Sequence, residues 1–305
     1  MTADTAQIIT LRNLLLSEIF GAFGLPREGW LRRHFWPFFW LPAEVFARVS
    51  MRFDQMVANQ GLDAAASWIL PRLVKNVLTT GNQHIPDEGP MLVVSNHPGS
   101  VDSLIIASQI HRPDFRIVAS NIPYLMHMPA TSQRMIFTPR DTIDRMGVIR
   151  ESISHLKNGG SLLIFPSGHM DPDPCIHDGL QANFAEWSRS IELFLRKVPD
   201  TQLVISMVSN VVGRNFFRNP LTLLRKKLQD RQKLAEFIQN MQQLVLPGSV
   251  NITPRISFDL PVTMEKLHTR MDQSLQTMQS IADRASMAFA EHMNSRFRTW
   301  TPSRP

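Results

Sequence analysis

An α/β fold, with a mixed and largely parallel sheet flanked by helices, is the architecture this sequence predicts, and three observations predict it. Short apolar runs recur from residue 91 onward: Met91–Ser95, Phe115–Ala119, Met135–Thr138, Ser161–Phe165, Leu203–Val208 and Arg255–Leu260. Stretches with helical patterning lie between them, at about 101–110, 143–157, 183–197 and 220–243, and such alternation places helices on the faces of a sheet. Composition agrees: 305 residues with 43% hydrophobic and 19% charged content suit one sizeable core with accessory segments, not a disordered chain.

Residues 1–80 read as an N-terminal helical segment. Ile8, Leu11, Leu15 and Ile19 recur at helical spacing, and further apolar stripes follow around 43–58 and 63–78. Between them, Trp30 to Trp40 holds three of the six tryptophans beside Arg32 and Arg33. Aromatic rings next to cations suit a membrane interface; the same rings also suit packing against the next domain, and both readings stay open. No apolar run approaches the ~20 residues of a spanning helix. The best, Phe35 to Ala43, is short and contains Pro37 and Pro42, so the chain is expected not to cross a bilayer.

The segment 81–262 carries the strand–helix alternation, and Gly159-Gly160 is a stop for the helix before it. In 263–305, Leu267, Met271, Leu275, Met278 and Ile281 predict a covering helix and a tail.

A formal charge of +6 favours anionic partners: phosphorylated substrates, CoA, an acidic carrier protein or an anionic membrane surface. Zinc-finger spacing, an RNP-like strand and a dense basic run are all missing, so nucleic acid is not an expected partner. The single cysteine, Cys175, leaves no internal disulfide, and Met1-Thr2-Ala3-Asp4 lacks the basic start of a secretory signal. The expected location is cytoplasmic, with peripheral membrane contact. His169, Asp171, Asp173, Cys175, His177 and Asp178 have the composition of metal ligands, but their spacing matches no zinc or calcium pattern; no metal or other cofactor is expected.

The chemistry concentrates at strand ends. Met91 to Ser95 runs through Asn96-His97-Pro98-Gly99 into a helix beginning near Ser100, which puts Asp102 in the first helical turn. There the carboxylate can return to His97, fix the imidazole tautomer and leave the other nitrogen free to take a proton. A second strand ends in Phe165-Pro166-Ser167-Gly168, where Ser167 and Gly168 are candidates for a cleft wall or oxyanion donors. A third, Met135 to Thr138, ends on Pro139-Arg140, a cation, with Arg134 nearby.

These blocks carry a family resemblance. Asn96-His97 with Asp102 resembles the Asn-His-x4-Asp motif of the glycerolipid acyltransferases, which include glycerol-3-phosphate and lysophosphatidate acyltransferases. Phe137 to Arg140 resembles that family's second block, and Phe165-Pro166-Ser167-Gly168 its third, which more often reads Phe-Pro-Glu-Gly. The stretch from Ser167 to Pro174 is similar to a loop of the soluble plastid-type glycerol-3-phosphate acyltransferases, but Met170 stands where that loop offers an arginine. The likeness covers roughly residues 78–262. It implies acyl transfer from acyl-CoA or acyl carrier protein to the hydroxyl of a lipid precursor, with His97 as general base, Asp102 as its partner, and Arg140 with Arg134 as ligands of an acceptor phosphate. A lipid hydrolase, an acyltransferase for an unphosphorylated lyso-lipid, and a non-catalytic lipid-binding protein remain alternatives.

Overall fold

The computed structural model describes residues 3–24, 30–138, 145–177, 183–267, 275–294 and 300–302. Three helices, Ala3–Phe23 (α1), Trp30–Gln60 (α2) and Leu62–Ile69 (α3), precede the first strand, Leu78–Thr80 (β1). Met91–Ser95 (β2) leads through a loop into Asp102–Ala107 (α4), and Arg116–Ser120 (β3) is followed by two short helices, Pro123–Met126 (α5) and Pro129–Ser132 (α6). Met135–Thr138 (β4), Arg145–Lys157 (α7), Ser161–Ile164 (β5), Ser190–Lys197 (α8) and Gln202–Ser209 (β6) continue the alternation. Then come Arg214–Phe217 (α9), Leu228–Val245 (α10), Arg255–Phe258 (β7), Met264–Leu267 (α11), Leu275–Met293 (α12) and Thr301–Pro302 (β8).

The strands form one sheet in the order β4-β3-β5-β2-β6-β7-β1-β8. Strands β4, β3, β5, β2 and β6 are parallel; β7 turns antiparallel to β6, β1 is parallel to β7, and β8 is antiparallel to β1. The mixed, largely parallel sheet read from the sequence is therefore the observed one.

Every residue of β2 is buried, as a central parallel strand covered on both faces requires. Met91 and Val93 join a core with Leu11, Leu16, Ala66 and Ile105 from α1, α3 and α4. Leu92 and Val94 face the other way, onto Leu156, Ile191, Leu195, Ile281 and Phe289 of α7, α8 and α12. Each fully buried aliphatic side chain here contributes roughly 1.5–3 kcal/mol.

The structure differs from the sequence reading at several places. α2 runs through Pro37 and Pro42 without a break in helical assignment. Tertiary packing outweighs propensity there: Phe39 packs on Phe20 and Phe23, and buried Asp54 accepts hydrogen bonds from Thr131 N (2.7 Å) and Thr131 Oγ1 (2.7 Å) of α6. The stretch read as a helix over about 183–197 is helical only from Ser190, after a single 3₁₀ turn at Phe184–Glu186. In the stretch read as a C-terminal covering helix, Met264–Leu267 (α11) and Leu275–Met293 (α12) are helical, and 268–274 lie outside the described residues. β1 and β8, three and two residues long, are too short to show a period, yet both enter the sheet. Through them, residues of the 1–80 and 263–305 segments share the sheet of the central one. No helix among the described residues is long and apolar enough to cross a membrane.

Candidate active site

The site grows out of the carboxyl end of β2. Asn96 prolongs the ladder with its side chain: Nδ2 donates to Val208 O and Oδ1 accepts from Val208 N, both at 2.8 Å. That amide is buried, so it ties the end of β2 to β6 and sets the start of the loop.

His97 follows, held on three sides. Its Nδ1 lies 2.9 Å from Asp102 Oδ2, and Gly99 N donates to the same oxygen at 3.1 Å. Its backbone is paired to the loop after β5, where His97 N donates to Asp171 Oδ2 and Asp171 N donates to His97 O, both at 2.8 Å. Its ring stacks on Phe165, with centroids 4.2 Å apart and planes 24° from parallel. Asp102 is fully buried, whereas the imidazole keeps 26% of its side-chain surface exposed. An ionised Asp102 accepts from Nδ1–H, leaving the Nε2 lone pair as the open proton acceptor. Burial pushes the His97 pKa down, but the charge and hydrogen bond of Asp102, with Glu236 and Asp171 behind it, outweigh burial and raise it.

Two side chains of α10 hold the loop from below. Glu236 accepts Ser100 N at 2.7 Å, Ser100 Oγ at 2.9 Å and Val101 N at 3.1 Å, and so caps the start of α4. Burial, reinforced by the charge of Asp102 and only partly offset by these donors, pushes the Glu236 carboxyl up to about 7. Gln232 donates to Pro98 O (2.6 Å) and Asp171 O (2.9 Å) and accepts from Asp173 N (3.1 Å). Gly99 is required by this approach: a Cβ there would lie 2.7 Å from Glu236 Oε1 and 2.8 Å from Val211 Cγ1.

The remaining expected site residues fall into place unevenly. Phe165 and buried Pro166 end β5 beside His97, and Pro166 O accepts Ser188 N at 3.0 Å. Ser167 Oγ donates to His169 O (2.8 Å) and Asp171 Oδ2 (3.2 Å). Gly168 adopts φ +69° and its N–H closes the turn on Phe165 O at 3.1 Å, so that donor is already engaged. Arg140 lies outside the described residues. Arg134, expected beside it as an acceptor ligand, is not brought to His97. Met135 aligns with Ile117, Ile117 with Leu163 and Leu163 with Val93, which puts Arg134 at the amino end of the parallel strands, donating to Pro113 O.

Asp171 and Asp173, read for their metal-ligand composition, brace loops instead. Asp173 accepts N–H groups of Cys175, Asn210, Val211 and Val212 at 2.7–3.2 Å. Sequence reasoning missed Gln232 and Glu236, which stand more than 130 residues from the loop they hold. The signal present was a polar row at helical spacing on α10, Gln232, Glu236, Gln239 and Gln243, all buried in the structure.

Comparison with known proteins adds to this geometry. Residues 76–191 match the family model described as Acyltransferase. No curated protein matches the chain. Among solved structures, the chain is similar to the 1-acyl-sn-glycerophosphate (LPA) acyltransferase PlsC from Thermotoga maritima. Identity is 14% and the TM-score 0.45, over 93% of this chain and 98% of that one. The matched family segment contains the His97–Asp102 loop with its Phe165 and Asp171 partners, and on that match residues 76–191 form an acyltransferase domain, as the motifs implied.

Proposed function

We propose that the protein transfers a fatty-acyl group from acyl-CoA or acyl carrier protein to the hydroxyl of a glycerolipid precursor such as glycerol 3-phosphate or a lysophosphatidate. The observation that carries this reading is the 2.9 Å contact of His97 Nδ1 with fully buried Asp102, on a ring that keeps 26% of its side-chain surface exposed. Nε2 of His97 takes the acceptor's hydroxyl proton as that oxygen attacks the thioester carbonyl. A C–O bond forms, the C–S bond breaks, and His97 returns the proton to the departing thiolate. Asp102 stabilises the imidazolium between the two steps, and general-base assistance of this kind contributes ~10²–10⁴-fold. The Ser167–Gly168 turn forms a wall of the cleft, continuous with Phe165.

Arg140 is the proposed phosphate ligand, following the third strand-end block. A second reading, an unphosphorylated lyso-lipid acceptor, draws on Met170, which is buried at 7% exposure and offers no cation in the loop beside His97. We place the reaction at a membrane surface on the cytoplasmic side, in keeping with the single cysteine and the chain's basic charge.

The test is mass spectrometry of products from purified protein, one acyl thioester and a panel of acceptors, for wild type, His97→Ala and Arg140→Ala. Transfer lost in His97→Ala, and a KM raised for phosphorylated acceptors only in Arg140→Ala, are the expected results. Thioester hydrolysis that no acceptor redirects would identify a hydrolase instead.

A further inference from the structure

The turn that joins β6 to α10 presents a feature the catalytic reading leaves unused. Within Pro220–Leu224, Leu221, Leu223 and Leu224 are 46%, 68% and 63% exposed. Three leucines exposed within four residues are an unfavourable surface in water. The turn is built to hold them outward. Buried Thr222 points the other way, its hydroxyl donating to Phe217 O (2.9 Å) and Asn219 O (2.8 Å). Asn219 Oδ1 accepts Leu221 N at 3.0 Å, closing the turn from its start. Cations flank the leucines on both sides: Arg218, Lys226 and Lys227 are exposed, while Arg225 is half-buried beside Asp230.

Position gives this surface its meaning. β6 is parallel to β2, with Ser95 aligned with Ser206, so the chain leaves β6 at the same end of the sheet as the His97 loop. The path between is braced: Asp173 accepts Val211 and Val212 N–H, and Gln239 accepts Gly213 N at 2.8 Å. Phe217 packs edge-on against His177, whose Nε2 lies 3.1 Å from Gln232 Oε1, and Gln232 holds Pro98 and Asp171. The leucine turn and the catalytic loop are thus joined through one network of contacts.

We infer that the Leu221–Leu224 turn is a docking surface for an anionic lipid bilayer, its leucines entering the acyl boundary and Arg218, Lys226 and Lys227 meeting the headgroups. The surface is distinct from the aromatic stretch at 30–40. It deepens the proposed function, since a lipid acceptor or product would then enter and leave beside His97 without crossing water. Apolar side chains supply the salt-insensitive part of such binding, and each cation near the surface contributes about fivefold.

The experiment is co-sedimentation of the full chain with phosphatidylcholine vesicles, with and without about one-third phosphatidylglycerol. It compares wild type, a Leu221→Ser/Leu223→Ser/Leu224→Ser variant, a Lys226→Glu/Lys227→Glu variant and Trp40→Ser. Wild type should bind the anionic vesicles, the leucine variant at least tenfold more weakly, and the charge-reversed variant more weakly with a shallower salt dependence. Trp40→Ser should bind as wild type. Thermal melts check that each variant is folded, and transfer from a short-chain acyl thioester to glycerol 3-phosphate in free solution should be unchanged in the leucine variant. Equal vesicle binding by wild type and the leucine variant, or no binding by wild type, overturns the docking surface. So does loss of transfer from an acidic carrier protein with vesicle binding intact, which would make the turn a protein contact. Failure of wild type to use glycerol 3-phosphate would bear on the acceptor alone and leave the vesicle result standing.

Discussion

His97 sits between opposing influences, and the balance is measurable. Its base function needs the neutral ring, so activity must rise with pH through the His97 pKa, which neighbouring carboxylates raise above the ordinary value. Asp102→Asn should therefore move the acid limb of the kcat–pH profile to lower pH and lower kcat, while His97→Ala should lower it a hundredfold or more. Glu236 makes a separate prediction. Its carboxyl, raised to about 7 from an ordinary 4.5, keeps its proton in the folded state where the unfolded chain has lost it. Stability must then fall as pH climbs through that window, by up to ~3 kcal/mol. His97, also raised, pulls in the same direction through its own window. In Glu236→Gln this pH dependence should flatten, as read by denaturant unfolding at pH 5 and pH 8. KM should change little while kcat falls, because the amide holds Ser100 and Val101 with one oxygen but carries no charge toward His97.

At the scale of the element, α10 does more than cover the sheet. Its buried row holds three loops: Gln232 and Glu236 the catalytic one, Gln239 the exit from β6, and Gln243 the approach to β7 through Val250 N at 2.9 Å. A buried carbonyl or N–H stripped of its partner costs about 1–3 kcal/mol, and Gln232 satisfies several at once. Gln232→Ala should lower the unfolding free energy by about 3 kcal/mol and reduce kcat more than it changes KM, because the His97 loop loses its lower support. Gly99→Ala tests the same contact from the other side. The added methyl meets Glu236 Oε1 and Val211, so a loss of about 1–3 kcal/mol is expected, with a fall in kcat that parallels that of Gln232→Ala.

For the whole molecule, the two faces of the sheet are closed by opposite ends of the chain. α1 to α3 cover one face and α12 the other. α12 is also pinned through buried His292, whose Nδ1 and Nε2 each lie 2.8 Å from a serine hydroxyl, Ser257 of β7 and Ser209 of β6. A fragment of residues 81–262 would strip α1 to α3 from one face and α12 from the other, and lose strands β1 and β8. It should show no cooperative thermal transition, whereas the full chain should melt in one step by circular dichroism. A fragment that melts cooperatively would show that the central segment folds alone.

Much of this was legible in the sequence because its causes are local. Parallel strands here are short apolar runs, fully buried in Met91–Ser95 and half-buried at the sheet edge in Met135–Thr138, and the sequence delimits both to the residue. A Pro-Gly turn and a helix start let the aspartate return toward the histidine, a reading that rests on the neighbouring strand-end blocks, and the two lie 2.9 Å apart. What sequence alone could not decide depends on contacts between distant segments. Phe39 is partly buried against the core and Trp40 half-exposed because α1 packs along α2. Arg134 is turned away from His97 by strand direction, which no local pattern encodes. Glu236 reads in sequence as an ordinary charge on a helix. It becomes part of the site only because the sheet brings α10 under a loop 136 residues away, where the N–H groups of Ser100 and Val101 take its buried carboxyl as their acceptor.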